Sequence, residues 1–260
     1  MSAMKQVLVL KVGGALLQSE AGMAQLMTTA GKIIAAGTQL ILVHGGGCLV
    51  DEQLAANGMS SEKLDGLRVS LAEHMPIVVG ALAGTANKML QAAAAKAGVT
   101  SVGLSLADAN MVKATIKDPR LGYVGEVSAN DPSLLTYLLQ QSWMPIISSI
   151  AIDANGAQLN VNADQAASVL AKLVGGQLVL LSDVPGVLNA EGELVNQLTL
   201  QQAEQLTQEG VIAKGMKVKV QAAFDVAQAT GQTVQVASWK DSEQLMLLAQ
   251  GECVGTQILP

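Results

Sequence analysis

Aromatic residues are scarce in this chain: one Phe, two Tyr and two Trp among 260 residues, although half of all residues are apolar. Its interior must be built from Ala, Val, Leu, Ile and Met. Such aliphatic, β-branched runs suit strands buried on both faces beneath helices, an α/β class. Basic charge is also scarce. A formal net charge of -6, with no Lys/Arg cluster, leaves no electrostatic basis for binding nucleic acid. Cysteine is limited to Cys48 and Cys253, without CxxC or Cys/His spacing, and histidine to His44 and His74, too few for a zinc site. Both thiols are expected to be buried and inert. No apolar stretch approaches the roughly 18 residues that span a bilayer. "QVLVLKVGG" after Lys5 has the outline of a secretory leader, but Lys11 interrupts it and no small-residue cleavage site follows. A soluble, cytoplasmic chain is expected.

What is present throughout is an alternation of apolar runs with stretches of helical period, the pattern of repeated strand–helix–strand units. Strands are predicted near residues 6–12, 39–43, 101–106, 145–152, 177–182 and 233–237, with a short one near 256–259. Helices are predicted near 21–36, 48–57, 71–97 with a break, 132–141, 164–174, 200–209, 216–229 and 241–249. Ser70 with Glu73, and Thr199 with Gln202, have the spacing of capping boxes. Asp131-Pro132 offers a cap and a first-turn proline, and Gly175-Gly176 a helix stop. Residues 111–127 read as a hairpin inserted into the α/β scheme, and Asn155-Gly156 sits between two alternating runs as the turn of another. No linker or repeat divides the chain, so one compact unit is expected.

Two glycine loops follow predicted strands. In "ILVHGGGCLVDEQLAANG", Gly45, Gly46 and Gly47 leave bare backbone that can take positive φ and approach another group. The helix that follows would turn its unpaired N–H groups toward the gap, where an anion is favoured. Gly13 and Gly14 follow Lys11, which is either a strand-end lysine reaching water or a fixed positive charge aimed into a glycine-lined site. Loops beyond the carboxyl ends of parallel strands are where open α/β sheets bind ligands. Neither loop has a GxxxxGK[ST] or GxGxxG pattern, and an HGGG oxyanion loop would need a GxSxG nucleophile that the chain lacks. Acyl hydrolysis is therefore not expected. Asn160, Asn162 and Asp164 occupy alternate positions as an extended segment runs into a helix; they are either a capping Asp with solvated neighbours or one face of a site. "VLLSDVPGVLN" ends a buried strand in a tight turn. Lys214, Lys217 and Lys219 surround a glycine before an apolar-faced helix, where one at best is catalytic.

The ordered set "KVGGALL", "ILVHGGGCLVDE", "GLRVS", "GALAGTANK", "LNVNADQAA", "LLSDVPGVL" and "GMKVKVQAA" resembles the amino acid kinase family over about residues 5–259. More narrowly, it is similar to the branch that phosphorylates N-acetyl-L-glutamate. The resemblance implies a three-layer αβα sandwich around a mainly parallel sheet, as a single domain over residues 1–260. The N-terminal half would bind the acyl substrate and dimerise, and the half from about 176 onward would bind ATP. The implied reaction moves the ATP γ-phosphoryl group to the side-chain carboxylate, giving N-acetyl-L-glutamyl 5-phosphate for arginine biosynthesis. Mg2+ would be held mainly by the phosphates, with no metal site on the protein.

By the same resemblance Lys11 and Lys219 match the two lysines that neutralise the transferring phosphoryl group, and Asp164 matches the residue that holds both. Gly13 and Gly14 would meet the phosphates. Gly46, Gly47, Arg68 and Asn160 match acyl-substrate positions; Asp183, Val184, Pro185, Gly186, Val187 and Leu188, with Val211, Ile212 and Ala213, match nucleotide positions. A carboxylate acceptor, with a pKa of about 4.3, is ionised at neutral pH and needs no general base, which fits the scarcity of histidine. Lys11 lies too near Met1 for the N-terminal helix through which arginine-inhibited members form hexamers, so an arginine-insensitive homodimer is expected. The alternatives are a sister kinase acting on glutamate, aspartate, carbamate or a nucleoside monophosphate, and a catalytically silent sensor. Arg68, Asn160 and the HGGGC context favour acetylglutamate, and the presence of Lys11, Lys219 and Asp164 speaks against the sensor.

Overall fold

The aliphatic runs become the centre of the molecule in a computed structural model, which describes residues 6–64, 66–212, 214–231 and 233–260. In chain order the strands are β1 (Val7–Val12), β2 (Gln39–His44), β3 (Lys63–Leu64), β4 (Leu67–Arg68), β5 (Ser101–Ser105), β6 (Val112–Ile116) and β7 (Val124–Ala129). They continue with β8 (Met144–Ser148), β9 (Ile150–Ile152), β10 (Gln158–Val161), β11 (Gln177–Ser182), β12 (Gln197–Leu198), β13 (Val234–Ser238) and β14 (Thr256–Ile258). Eight of them form one sheet in the order β12-β14-β13-β11-β1-β2-β8-β5. All neighbours from β13 to β5 are parallel, while β14 runs antiparallel to β13 and carries β12 parallel to itself.

Period-2 alternation sends the strand side chains to two different cores. Val9, Ile41, Val43, Ile147, Leu178 and Leu180 pack on one face with Ala166, Ala167 and Leu170 of the helix Ala163–Val174, and with Phe224 of the helix Lys214–Thr230. Leu8, Leu10, Val12, Leu40, Leu42 and Ile146 pack on the other with Leu26, Met27 and Ile33 of the helix Glu20–Ala35, Leu90 of Asn87–Lys96, and Leu248 of Ser242–Ala249. Helices on both faces of a largely parallel sheet make the expected αβα sandwich. Among the described residues no helix is long and apolar enough to cross a membrane.

A second sheet, β6-β7-β10-β9, contains both predicted hairpins: β6 pairs antiparallel with β7, and β9 antiparallel with β10. Its last hairpin turns through Gly156 at φ 83°, and Asp153 Oδ1 accepts from the N–H groups of Asn155 and Ala157. β10 also pairs in parallel with β7. The predicted single strand 145–152 is two strands: the chain leaves the main sheet after Ser148 and enters the second one at Ile150. An apolar run has no period that distinguishes one strand from two.

The predicted helix 71–97 begins with a short 3-10 turn and then runs unbroken as Met75–Val79, a π-helical turn Gly80–Ala86 and Asn87–Lys96. Instead of a break, the chain widens by a π turn, a feature that often adjoins functional sites. The Ser70–Glu73 capping box is absent. Ser70 is held in an extended bridge to Gly122, its N–H donating to Leu121 O and its carbonyl accepting from Tyr123 N–H, and its hydroxyl is taken by Asn160. The Thr199–Gln202 box is present, Asp131 accepts from the N–H of Ser133, and Gly175 ends its helix in the left-handed conformation. Cys48 is half-buried and Cys253 exposed, contrary to expectation.

Candidate active site

In the register of the main sheet, Val12 lies beside His44 on one side and Leu181 on the other. The turns that follow β1, β2 and β11 therefore leave the same sheet edge together: Gly13–Gly14, Gly45–Gly47 and the segment at Asp183. Lys11 shares a strand face with Val9, the face covered by the helix Ala163–Val174. That helix carries Asp164 in its first turn. Lys11 Nζ lies 2.8 Å from Asp164 Oδ1, and the two side chains are only 17% and 20% exposed. The helix cap is Asn162, whose Oδ1 accepts from the N–H groups of Asp164 and Gln165. Asp164 is thus free of the capping role and faces the lysine.

Two cavities meet at this ion pair. One, of about 280 Å³, is lined by Gly45, Gly46, Gly47, Arg68, Asn160 and Asn162; the other, of about 230 Å³, by Ser182, Asp183, Lys219 and Trp239. Both include Lys11, Gly13, Gly14 and Asp164. The glycines differ in what their surroundings demand. A Cβ on Gly14 would lie 2.7 Å from Cys48 Sγ, so that glycine permits close packing of the two loops, whereas one on Gly13 would enter open space. A Cβ on Gly46, at φ 157°, would lie 3.0 Å from Leu82 Cδ2 on the π turn.

In the first cavity the Arg68 side chain is 9% exposed. Nη1 donates to Asp51 Oδ1 and Ser61 Oγ, and Nη2 to Gly47 O at 3.0 Å. The hydrogen bond from Arg68 holds the Asp51 carboxyl below its ordinary pKa. Asn160 Nδ2 donates to Ser70 Oγ at 3.1 Å. Sequence reasoning missed Lys63, which faces Arg68 across the β3–β4 hairpin, and Ser149, at the break between β8 and β9; both line this cavity. Two-residue strands give no periodic signal, and only the doubled serine in "PIISSIAI" hinted at the break.

In the second cavity Lys219 Nζ lies 2.5 Å from Asp183 Oδ1, and both side chains are 43% exposed. The hydrogen bond from Lys219 holds the Asp183 carboxyl below its ordinary range. Asp164 pairs with Lys11 and Asp183 with Lys219, so the two lysines have separate partners rather than the shared one implied by the resemblance. Lys217 and Lys219 lie inside the helix Lys214–Thr230, which starts earlier than predicted. Leu180, Leu181, Val236 and Trp239 supply an apolar wall, and Trp239 was not foreseen.

Of the turn after Asp183, Val184, Pro185, Gly186, Val187 and Leu188 do not line this cavity. The Val184 N–H bonds Ser182 Oγ, Gly186 packs on Thr256, and Leu188 bridges Leu194. Val187 is fully buried, with its N–H on Thr256 Oγ1 and its carbonyl on Val195 N–H. Val211 and Ile212 both donate their N–H groups to Leu206 O, and Ile212 is buried. Ala213 lies outside the described residues.

The profile of the amino acid kinase family matches residues 6–238. A curated relative from Shewanella sediminis, named acetylglutamate kinase, is 66% identical over 260 residues, which is 100% of this chain and 99% of that one. Among solved structures, a protein of Streptococcus mutans UA159 superposes with a TM-score of 0.78 at 28% identity, over 98% of this chain and 99% of that one. Carbamate kinase from Giardia lamblia, bound to AMP-PNP, gives a TM-score of 0.67 at 19% identity over 100% and 99% of the two chains, a likeness of fold.

Proposed function

The chain belongs to the amino acid kinase family, and from that premise we propose that it phosphorylates the side-chain carboxylate of N-acetyl-L-glutamate with ATP, a step of arginine biosynthesis. The acceptor is supported by the relative named acetylglutamate kinase that matches the full chain at 66% identity. The observation that carries the reaction is the pair of cavities sharing Lys11, Gly13, Gly14 and Asp164. A transferring group at that junction is within reach of an acceptor on one side and a nucleotide on the other.

In this reading the acceptor lies in the cavity of Gly46, Gly47, Arg68 and Asn160, and the nucleotide in that of Asp183 and Lys219. An acceptor carboxylate oxygen attacks the γ-phosphorus as the bond to the β–γ bridging oxygen breaks, and ADP departs. The carboxylate is already ionised at neutral pH, so no proton moves. Lys11 and Lys219 neutralise the phosphoryl oxygens, the amides of Gly13 and Gly14 donate to the same charge, and those of Gly46 and Gly47 face the acceptor; positioning and charge stabilisation are the main contributions a protein makes to phosphoryl transfer. Lys219 leaves Asp183 to do so. Among the described residues no group of three His, Cys, Asp or Glu side chains offers a metal a cage, so magnesium would come with the nucleotide and screen its phosphates.

The test is ATP turnover with magnesium and hydroxylamine, comparing N-acetyl-L-glutamate with glutamate, aspartate and carbamate and scoring hydroxamate and ADP separately. Hydroxamate with acetylglutamate alone is the expected result. Product with another acceptor would reassign Arg68 and Asn160, and no turnover with any acceptor would overturn the enzymatic reading.

A further inference from the structure

His44 takes no part in the chemistry above, yet its side chain is fully buried at the end of β2, one residue before the glycine loop. Both ring nitrogens are engaged: Nδ1 lies 2.9 Å from Gly45 O, and Nε2 lies 3.1 Å from Asn87 Nδ2. Asn87 follows the π turn, is also buried, and places the same Nδ2 2.8 Å from Ile146 O and 3.2 Å from Leu104 O. Two carbonyl acceptors fix which end of the amide points at them. The group facing His44 is therefore the NH2; its two hydrogens are divided among three acceptors, so Nε2 shares one of them and carries no proton of its own. The remaining proton is on Nδ1, which donates to the Gly45 carbonyl. Burial agrees, pushing the imidazole pKa down to about 4 and keeping the ring neutral at physiological pH.

The consequence lies one bond away. In a trans peptide the C=O and N–H point in opposite directions, so anchoring Gly45 O aims the Gly46 N–H. Among the described residues, no backbone hydrogen bond within the chain uses the N–H of Gly46 or Gly47, and both glycines line the first cavity. We propose that His44, locked as the Nδ1–H tautomer by Asn87, is a positioning residue that aims the Gly46 amide at the reacting carboxylate. This rests on the assignment of that cavity to the acceptor.

The test uses two neutral amides of different reach. His44→Asn puts an N–H donor near the place of Nδ1, and His44→Gln near the place of Nε2. Misplacing a positioned group by about 1 Å costs on the order of 100-fold, so His44→Gln is expected to lose about that much in kcat/KM for acetylglutamate. His44→Asn is expected to recover at least about tenfold of the loss, and the ATP KM to stay within about twofold of wild type in both. Equal losses in the two variants, or a parallel rise in the ATP KM, would overturn the proposal. Arg68→Lys, run alongside, separates the two levels. An acetylglutamate KM that it leaves unchanged removes the acceptor assignment and this inference together; a raised KM with indistinguishable His44 variants removes this inference alone. If either variant fails to fold, long-range 1H–15N spectra of the wild-type enzyme decide the matter, since the chain has only two histidines. A protonated Nδ1 and bare Nε2 at pH 7 support the strut, and the opposite tautomer excludes it.

Discussion

The two sides of the cleft hold their cations differently. On the proposed acceptor side Arg68 is tied to Asp51, Ser61 and a loop carbonyl with 9% of its side chain exposed, and Lys11 to Asp164 with 17%. Beneath them the fully buried His44 and its partner Asn87 brace the loop. On the proposed nucleotide side Lys219 and Asp183 are each 43% exposed. An exposed ion pair contributes only about 0–1 kcal/mol, so Lys219 can exchange Asp183 for a phosphate at small cost. In the proposed reading the acceptor side is thus assembled before its ligand arrives, while Lys219 on the nucleotide side is left able to change its partner. The physical difference is burial: a cation withdrawn from water needs its partners in place, and a half-exposed one can change them.

The contrast can be broken first at the lysines. Lys11→Ala and Lys219→Ala are each expected to lower kcat by about 10²- to 10³-fold, the usual cost of one preorganised charge-stabilising contact. Near-normal turnover of either variant in a steady-state assay would remove that lysine from the transition state. Next comes pH. The His44 pKa is lowered from 6.5 to about 4, so between those values the unfolded chain binds a proton that the folded chain does not. Stability is therefore full above about pH 6.5, falls as the pH drops, and levels off for this group below about 4, a loss of about 3 kcal/mol. Urea unfolding at pH 7, 5.5 and 4 measures it, and His44→Asn is expected to flatten the slope.

Arg68→Lys sharpens the comparison on the acceptor side. Loss of the planar fork should raise the acetylglutamate KM about ten- to 100-fold, the equivalent of one charged hydrogen bond, with the ATP KM unchanged. The smallest effect is expected at the exposed pair. Asp183→Asn should shift the ATP KM by no more than about fivefold, and leave the acetylglutamate KM alone. A loss in both constants would mean that the two sides are not independent.

How much of this was legible depended on the range of the signal. The strands around Lys11, the two glycine loops and the line of Asn160, Asn162 and Asp164 could be read locally, because period-2 alternation and glycine are properties of neighbouring residues. Lys63 and the β3–β4 hairpin could not, since two residues carry no period. The Val184–Leu188 and Val211–Ile212 segments matched nucleotide positions by motif, but the amides of Val184, Val187, Val211 and Ile212 are occupied by Ser182, Thr256 and Leu206, and Val187 and Ile212 pack inward while Leu188 is exposed.

Aliphatic composition and the rhythm of strands and helices were enough to determine a sandwich with glycine turns at the ends of its strands. Folding alone decided which turns meet. Strand order brings Val12 between His44 and Leu181, sets Asp164 against Lys11 from 153 positions away, and places Asn87 on His44 across 43. Hydrophobic burial selects a face for each side chain but names no partner. The partners here follow from the register of parallel strands and from the requirement that a buried polar group find a hydrogen bond.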